Sequence, residues 1–510
     1  FQNILHQYRE HCNDAMVLGH IITAFDGAFF TEGTGALGMV QLINGAIESS
    51  VSNIDTFAEF GKQLAIHPPS EELRMPILNE VWKQVSKSDK IESYIRCAAA
   101  WMDVVLKHYG ESEVFVLLAD ITQKLEVATA LGSEGTQTTT MTANSPTTRK
   151  GEDVNEVGSL SEGVLKHLAS ILSSLISQSS SVGAQVLTSK HLVQILDVFK
   201  GRRKVEMCMD VLESFNRTNS ATGDAVLINT LFDIGRNLHD SLDYMSPEGD
   251  RRHIARVLNN FIQKVDFGRD LEQQLNVYVE CRAIFCNLDM VKDQLVMCVS
   301  ELAIKAYRLM KGKHNKKTAA FAKACMAYCH ITIPSITNVE RKLYLLVHCS
   351  HIALVNQCLP QTDTFLKAAI TLIPEMNSYS ISTSEQGQSG GVQKAETSLA
   401  SLIRTLLSTL VMVPGHPDHG PFYIVSGLLN ALPKYEWHHP HIRTSLYIDI
   451  LGLLCTYAQK KFPYHLPHLE SNDMLYCGAP GYAFELAQSI KVCVQEIIKQ
   501  LQEITSKAVQ

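Results

Sequence analysis

The chain has 510 residues, 45% hydrophobic and 19% charged, with 45 Lys and Arg against 52 Asp and Glu. That composition excludes a disordered chain, and a net charge of -7 with a pI near 6.3 leaves no basic footprint for nucleic acid. Such a length exceeds one ordinary compact core, so the chain either splits into domains or grows in one dimension.

In chain order, apolar spacing predicts helices over 3–18, 37–51, 53–66, 75–87, 90–109 and 111–130. A segment over 132–162, rich in Thr, Ser, Gly and Asn, reads as a polar flexible loop. Helical repeats are expected over 163–376, with individual helices near 189–199, 203–216, 223–241, 249–265, 271–286, 290–310, 315–331, 338–357 and 362–373. A second polar loop occupies 377–395, and helices follow near 396–412, 421–432, 440–461 and 480–508. Gly201, Ser246-Pro247, Pro334 and Pro360 mark turns between them.

The apolar stripes are regular. Ile442, Leu446, Ile450, Leu453 and Tyr457 recur at steps of three or four, as do Val291, Leu295, Val299, Leu302 and Ala306, and again Leu343, Val347, Ile352 and Val355. A helix with one apolar stripe must bury it against a neighbour. Helical hairpins of about 40 residues, on the order of a dozen of them, fit an all-α fold: a right-handed α-solenoid of HEAT-like hairpins.

The first residue is Phe1 rather than Met, as expected of a piece of a longer chain, and Phe1 to Cys12 does not read as a signal peptide. No run of about eighteen apolar residues appears, so no membrane span is expected. The thirteen cysteines form no C-x-x-C, and Cys97, Cys208, Cys298, Cys325 and Cys455 fall on apolar helix faces. They read as buried reduced thiols of a cytosolic protein.

Motifs that could carry chemistry are weak. Gly33, Gly35 and Gly38 make a literal G-x-G-x-x-G, with Asp55 downstream, but no convincing strand precedes it and no βαβ unit follows. It reads as a glycine turn. His416, His419, His438, His439, His441, His465 and His468 cluster late, mostly beside prolines. They read as turns, and Cys325, Cys329 and His330 as packing on one helix face, rather than as a metal site. The basic run Lys311, Lys313, Lys316 and Lys317 joins two helices and suits a solvated loop, with anionic lipid or an acidic partner as the alternative. Arg202, Arg203, Lys204, Arg251 and Arg252 sit near helix starts, the wrong end for the helix dipole, and should face a neighbouring acid or a partner. There is no G-x-S-x-G and no P-loop.

Several stretches resemble a known family. Ile195 to Lys200, then Arg202 to Leu212, is similar to a helix pair of the retromer scaffold family (vacuolar protein sorting thirty-five). There a phenylalanine-rich helix end meets a turn, Arg-Lys and a Cys-x-x-Val-Leu helix. Arg256 to Phe261 with Asp270 to Leu275, Cys349-Ser350-His351-Ile352, and Tyr447 to Leu451 resemble further helices of that family. The resemblance covers mainly 190–465. The Thr-rich and Ser-rich segments and the His/Pro turns depart from the retromer scaffold and resemble the paralogous branch, the scaffold of the retriever complex.

The resemblance implies a non-catalytic α-solenoid without cofactor, whose carboxyl-terminal half cradles a small subunit of metallophosphoesterase fold. It also implies an arrestin-like subunit on an amino-terminal half that lies mostly outside this sequence. Further implied partners are a COMMD–coiled-coil assembly and, indirectly, a sorting nexin cargo adaptor. The implied setting is cytoplasmic, peripheral on endosomes, in recycling of integral membrane cargo to the plasma membrane. His351 matches a family histidine associated with holding the small subunit; His348 and Val355 fall one turn either side of it. Tyr447 and Tyr307 are aromatic candidates for contacts, or core residues. Two other classes stay open. A stand-alone solenoid receptor for peptides or transport cargo wants a ladder of exposed Trp and Asn, yet the only tryptophans are Trp82, Trp101 and Trp437. An enzyme would place a metal in the His-rich end.

Overall fold

The computed structural model describes residues 54–66, 71–134, 160–177, 181–217, 221–376, 391–476 and 479–509, together with Gln7. The readings of 37–51, of 3–18 beyond Gln7, of the Gly33 to Gly38 turn and of most of 132–162 and 377–395 fall outside these residues. The described part is all-α, with no strand among the described residues; His416 and Gly420 form an isolated bridge.

Two compact units divide at Tyr244 and Met245. In the first, the helices are α1 (Ile54–Ile66), α2 (Glu71–Val85), α3 (Ile91–His108), α4 (Glu111–Glu134) and α5 (Glu162–Ser177). They continue with α6 (Ser181–Thr188), α7 (Lys190–Val198), α8 (Gly201–Arg217) and α9 (Ala225–Asp240). The stretch expected to be helical without individual boundaries holds α5 and α6. Serines dilute the stripe of α5, but its Val164, Leu168, Ile171, Leu172 and Leu175 are buried. The centre of this unit is α3, which packs on α1, α4 and α5. It buries Tyr94, Ile95, Cys97, Trp101, Met102, Val104 and Val105. Trp101 donates its indole N–H to the Phe57 carbonyl at 2.8 Å. Close approach there requires Gly61, because a Cβ at that position would sit 2.9 Å from Trp101 Cδ1.

The second unit holds α10 (Glu248–Lys264), α11 (Leu271–Ile284), α12 (Asp289–Leu309), α13 (Lys316–Thr332), α14 (Val339–Val355) and α15 (Leu359–Leu372). After these come α16 (Gly391–Leu410), α17 (Tyr423–Ala431), α18 (Pro440–Tyr457), the short α19 (Asn472–Tyr476) and α20 (Pro480–Val509). Packing is local in sequence. Alternate helices α10, α12, α14, α16, α18 and α20 each touch the next to form one layer; α13, α15 and α17 do the same in a second. Hairpin partners join the layers, as α14 joins α15. This nearest-neighbour packing is what an α-solenoid is made of.

The three stripes explain the layering. All five of Ile442, Leu446, Ile450, Leu453 and Tyr457 are buried, as are Val291, Leu295, Val299, Leu302 and Ala306. Leu343, Val347 and Ile352 are buried too, while Val355 stays half-buried. Caps set the starts: Asp224, Asp270 and Asn338 accept backbone N–H groups two or three residues on, and Asn315 forms a reciprocal capping box with Thr318. Pro360 opens α15 rather than only stopping α14. The basic residues at helix starts meet acids: Arg202 pairs with Glu206, Arg203 with Glu162, Lys204 with Asp197 and Arg252 with Glu248. Cys97, Cys208, Cys298 and Cys325 are buried as expected, but Cys455 is exposed on the outer side of α18, where its step falls off the apolar stripe.

Candidate functional site

The residues proposed for partner contact lie on α14, with Tyr447 on α18. On α14, Arg341, Tyr344, His348, His351 and Val355 follow at alternating steps of three and four, so they form one stripe, and all are half-buried. The stripe is held from both sides. Arg341 Nε donates to Asp293 Oδ1 on α12 at 2.7 Å, and its guanidinium lies 4.4 Å from the Tyr344 ring centroid. The Tyr344 and His348 rings are parallel, and His348 Nε2 lies 3.3 Å from the buried Ser300 hydroxyl of α12. On the other side, His351 has a hydrogen bond with the Thr405 backbone of α16.

Burial lowers the pKa of His348, helped by His351 and Arg341 nearby. It lowers that of His351 as well, against the Thr405 hydrogen bond. Both imidazoles are therefore neutral at neutral pH, so His348 and His351 offer hydrogen-bonding and apolar contact rather than charge, and the one charge on the stripe, Arg341, is paired with Asp293. Tyr447 does not join it. Its side chain is buried at 1% exposure between α18 and α20, and burial raises its pKa. Tyr307 sits elsewhere, on α12 beside His314, with ring centroids 5.9 Å apart.

The His-rich end is more structured than solvated turns. Glu396 of α16 is fully buried, and its carboxylate accepts the backbone N–H of His438 at 2.6 Å and of His439 at 3.1 Å. Both imidazole Nδ1 atoms reach it too, at 3.2 Å and 2.9 Å. One carboxylate thus fixes the turn entering α18. A second anchor is Asp473 of α19, which accepts from Ser471, the Phe462 amide and His465. Burial opposes its ionisation, but these hydrogen bonds outweigh that and hold the carboxyl down at about 2. Asn472 beside it accepts the Gly415 N–H at 2.6 Å. Sequence reading missed Glu396 and Asp473; the only signal was an acid lying opposite paired histidines, which linear spacing does not reveal.

His416 and His419 stack with ring centroids 4.6 Å apart, and Tyr423 packs on His419. His416 borders a cavity of about 610 Å³, lined mainly by Leu, Val and Pro side chains of α15, α17 and the 413–421 loop. Among the described residues no group of three or more His, Cys, Asp or Glu is placed to hold a metal ion. Cys325 and Cys329 are buried, and burial raises the Cys325 thiol to about 12, so it is an inert core thiol. All three tryptophans satisfy their indole N–H inside the chain, on Asp120, Phe57 and Leu432.

Comparison with known proteins decides the family. The VPS35L C-terminal domain family matches residues 1–142 and 157–510. This chain belongs to that family. A mouse protein named VPS35 endosomal protein-sorting factor-like is 33% identical over 98% of this chain and 49% of its own length. A Dictyostelium discoideum relative of the same name is 34% identical over 98% of the chain and 47% of its own, and a Drosophila melanogaster one 30% over 99% and 49%. The chain therefore spans about half the length of the curated relatives it matches. Among solved structures, a circular tandem repeat protein aligns over 93% of this chain and 91% of its own, at 12% identity and a TM-score of 0.27, too distant to carry an argument. Among the described residues no helix is long and apolar enough to cross a membrane.

Proposed function

We propose that this chain is a non-catalytic scaffold of an endosomal retrieval complex of the retriever type, acting within the larger Commander assembly. In this reading it holds a small metallophosphoesterase-fold subunit and links it to a COMMD–coiled-coil assembly. The arrestin-like subunit engages the part of the longer protein outside this sequence, and a sorting nexin adaptor brings cargo. The protein works in the cytoplasm, peripheral on endosomes, and returns integral membrane cargo to the plasma membrane. The observation that carries the reading is the family match along nearly the whole chain, to relatives named as endosomal protein-sorting factors. The physical support is a stack of helices with a half-buried stripe on α14, in which two neutral imidazoles follow an ion-paired Arg341, the kind of surface that offers a few anchors within a large interface.

The test is reconstitution of the chain with the small subunit, read by light scattering and calorimetry. A stoichiometric complex is expected, weakened roughly 10-fold by His351→Ala with unchanged helix content. A correctly folded chain that forms no such complex overturns the scaffold reading. A complex untouched by His351→Ala overturns only the site.

A further inference from the structure

The last helix carries a second pattern that the layered packing does not use. On α20, Leu486, Cys493 and Gln500 are buried at exact seven-residue spacing. A different set at steps of three and four faces outward: Phe484, Ala487, Lys491, Val494, Ile498 and Leu501, all exposed. Phe484 is 67% exposed, Ile498 50% and Leu501 48%, which is costly surface for apolar side chains. The seven-residue period extends to the flanks. Gln488, Gln495 and Gln502 line one side, and half-buried Ile490, Ile497 and Ile504 line the other and lead back to the core contact.

An outer surface selected only for solubility has no reason to keep a heptad. A repeat of apolar residues at alternating three and four spacing is what a second helix needs to seat knobs into holes. The seam from Phe484 to Leu501 is roughly 25 Å long, the length of a partner helix of about three heptads. Lys491 stands inside the seam. In an in-register parallel pair of two copies it would meet its own copy, so the charge disfavours self-pairing and favours a carboxylate opposite. Lipid is disfavoured by the polar flank, where glutamines are followed by Lys499 among Glu485, Glu496 and Glu503, a mixed row instead of a basic one.

We propose that the outer face of α20 is a docking surface for an amphipathic helix of a partner protein, which pairs with it in coiled-coil fashion and sets an acidic side chain against Lys491. The assignment is independent of the small-subunit reading.

The test uses the whole chain and a fluorescein-labelled synthetic helix of about four heptads, with Leu at its seam positions and one Glu placed to face Lys491. Anisotropy should show saturable binding, weakened at least 10-fold by Ile498→Glu and by Leu501→Glu. Val492→Glu, exposed on the opposite flank, should leave it unchanged. Replacing the peptide's Glu by Lys should weaken binding to the native chain, and Lys491→Glu should reverse that order. Circular dichroism should show all variants folded. Absence of saturable binding, equal loss with Val492→Glu, or no reversal with Lys491→Glu overturns the proposal. So does a dimer of the chain, seen by light scattering, that Ile498→Glu dissolves, since the occupant would then be a second copy. Co-sedimentation with anionic vesicles that depends on Ile498, without peptide binding, overturns it in favour of lipid.

Discussion

Helices α14 and α20 carry the same alternation of three and four along an outward stripe, yet the two stripes differ in what fills them. On α14 the stripe is Arg341, Tyr344, His348, His351 and Val355, half-buried and bonded sideways to α12 and α16. On α20 it is chiefly apolar and exposed, with α18 packed against the opposite face. A helix flanked in its layer on both sides spends its apolar residues on those flanks and on the second layer, and leaves amphipathic side chains on top. The pair shows that helical period alone does not tell core from interface; the neighbours decide.

The largest expected effect breaks the comparison at its root. Leu343→Ala or Leu346→Ala on α14, both buried, should cost about 2–5 kcal/mol through lost burial and the cavity left behind. Ile498→Ala on α20 should stay within about 0.5 kcal/mol. Denaturant melts of the two sets check this. Comparable losses at both sites would mean that α20 is covered in solution.

A smaller effect tests the end of the layer that carries α20. Glu396→Ala strips acceptors from the His438 and His439 amides in a buried turn, which should cost about 1–3 kcal/mol. Glu396→Gln keeps one acceptor oxygen and should recover part of it. If Glu396→Ala melts with the native chain, the turn entering α18 does not depend on that carboxylate. Gly415→Ala tests the loop nearby, where a Cβ would sit 2.6 Å from the Pro421 Cα backbone atom. Loss of about 1–3 kcal/mol is expected there from overpacking.

The contrast also marks what the sequence could disclose. The stripes at 291–306 and 442–457 were legible because they repeat apolar residues against polar ones, and burial follows that period. Helix α5 was not individually legible, since its serines share the buried face's turns. The stripe on α14 was legible in part: His348, His351 and Val355 share a face by spacing alone, but Tyr447 belongs to the core because α20 covers it, and α20 lies some forty positions on, beyond any local pattern. Glu396 was invisible for the same reason, as its partners lie 42 and 43 residues away. Conversely, the heptad on α20 was present in the sequence but indistinguishable from a core stripe until exposure told them apart.

The smallest effect concerns pH and again separates the two helices. Because burial places the pKa of His348 and of His351 below 6.5 in the folded chain, each binds its proton more readily when unfolded. Their share of stability is therefore complete above pH 6.5 and is lost as the pH falls from 6.5 through the lower folded values. Replacing both by Gln should flatten the fall in melting temperature between about pH 7 and pH 5, while Lys491→Gln on α20 should leave that slope as it is. Asp473, held near 2, adds its own loss at lower pH, as the pH falls through 3.8 towards that value. If the double Gln variant keeps the native slope, the α14 stripe is open enough to water for its imidazoles to titrate as they do in the unfolded chain. In that case the surface offered to a partner on α14 gains positive charge in mildly acid conditions, and the neutral-imidazole contact inferred for it fails.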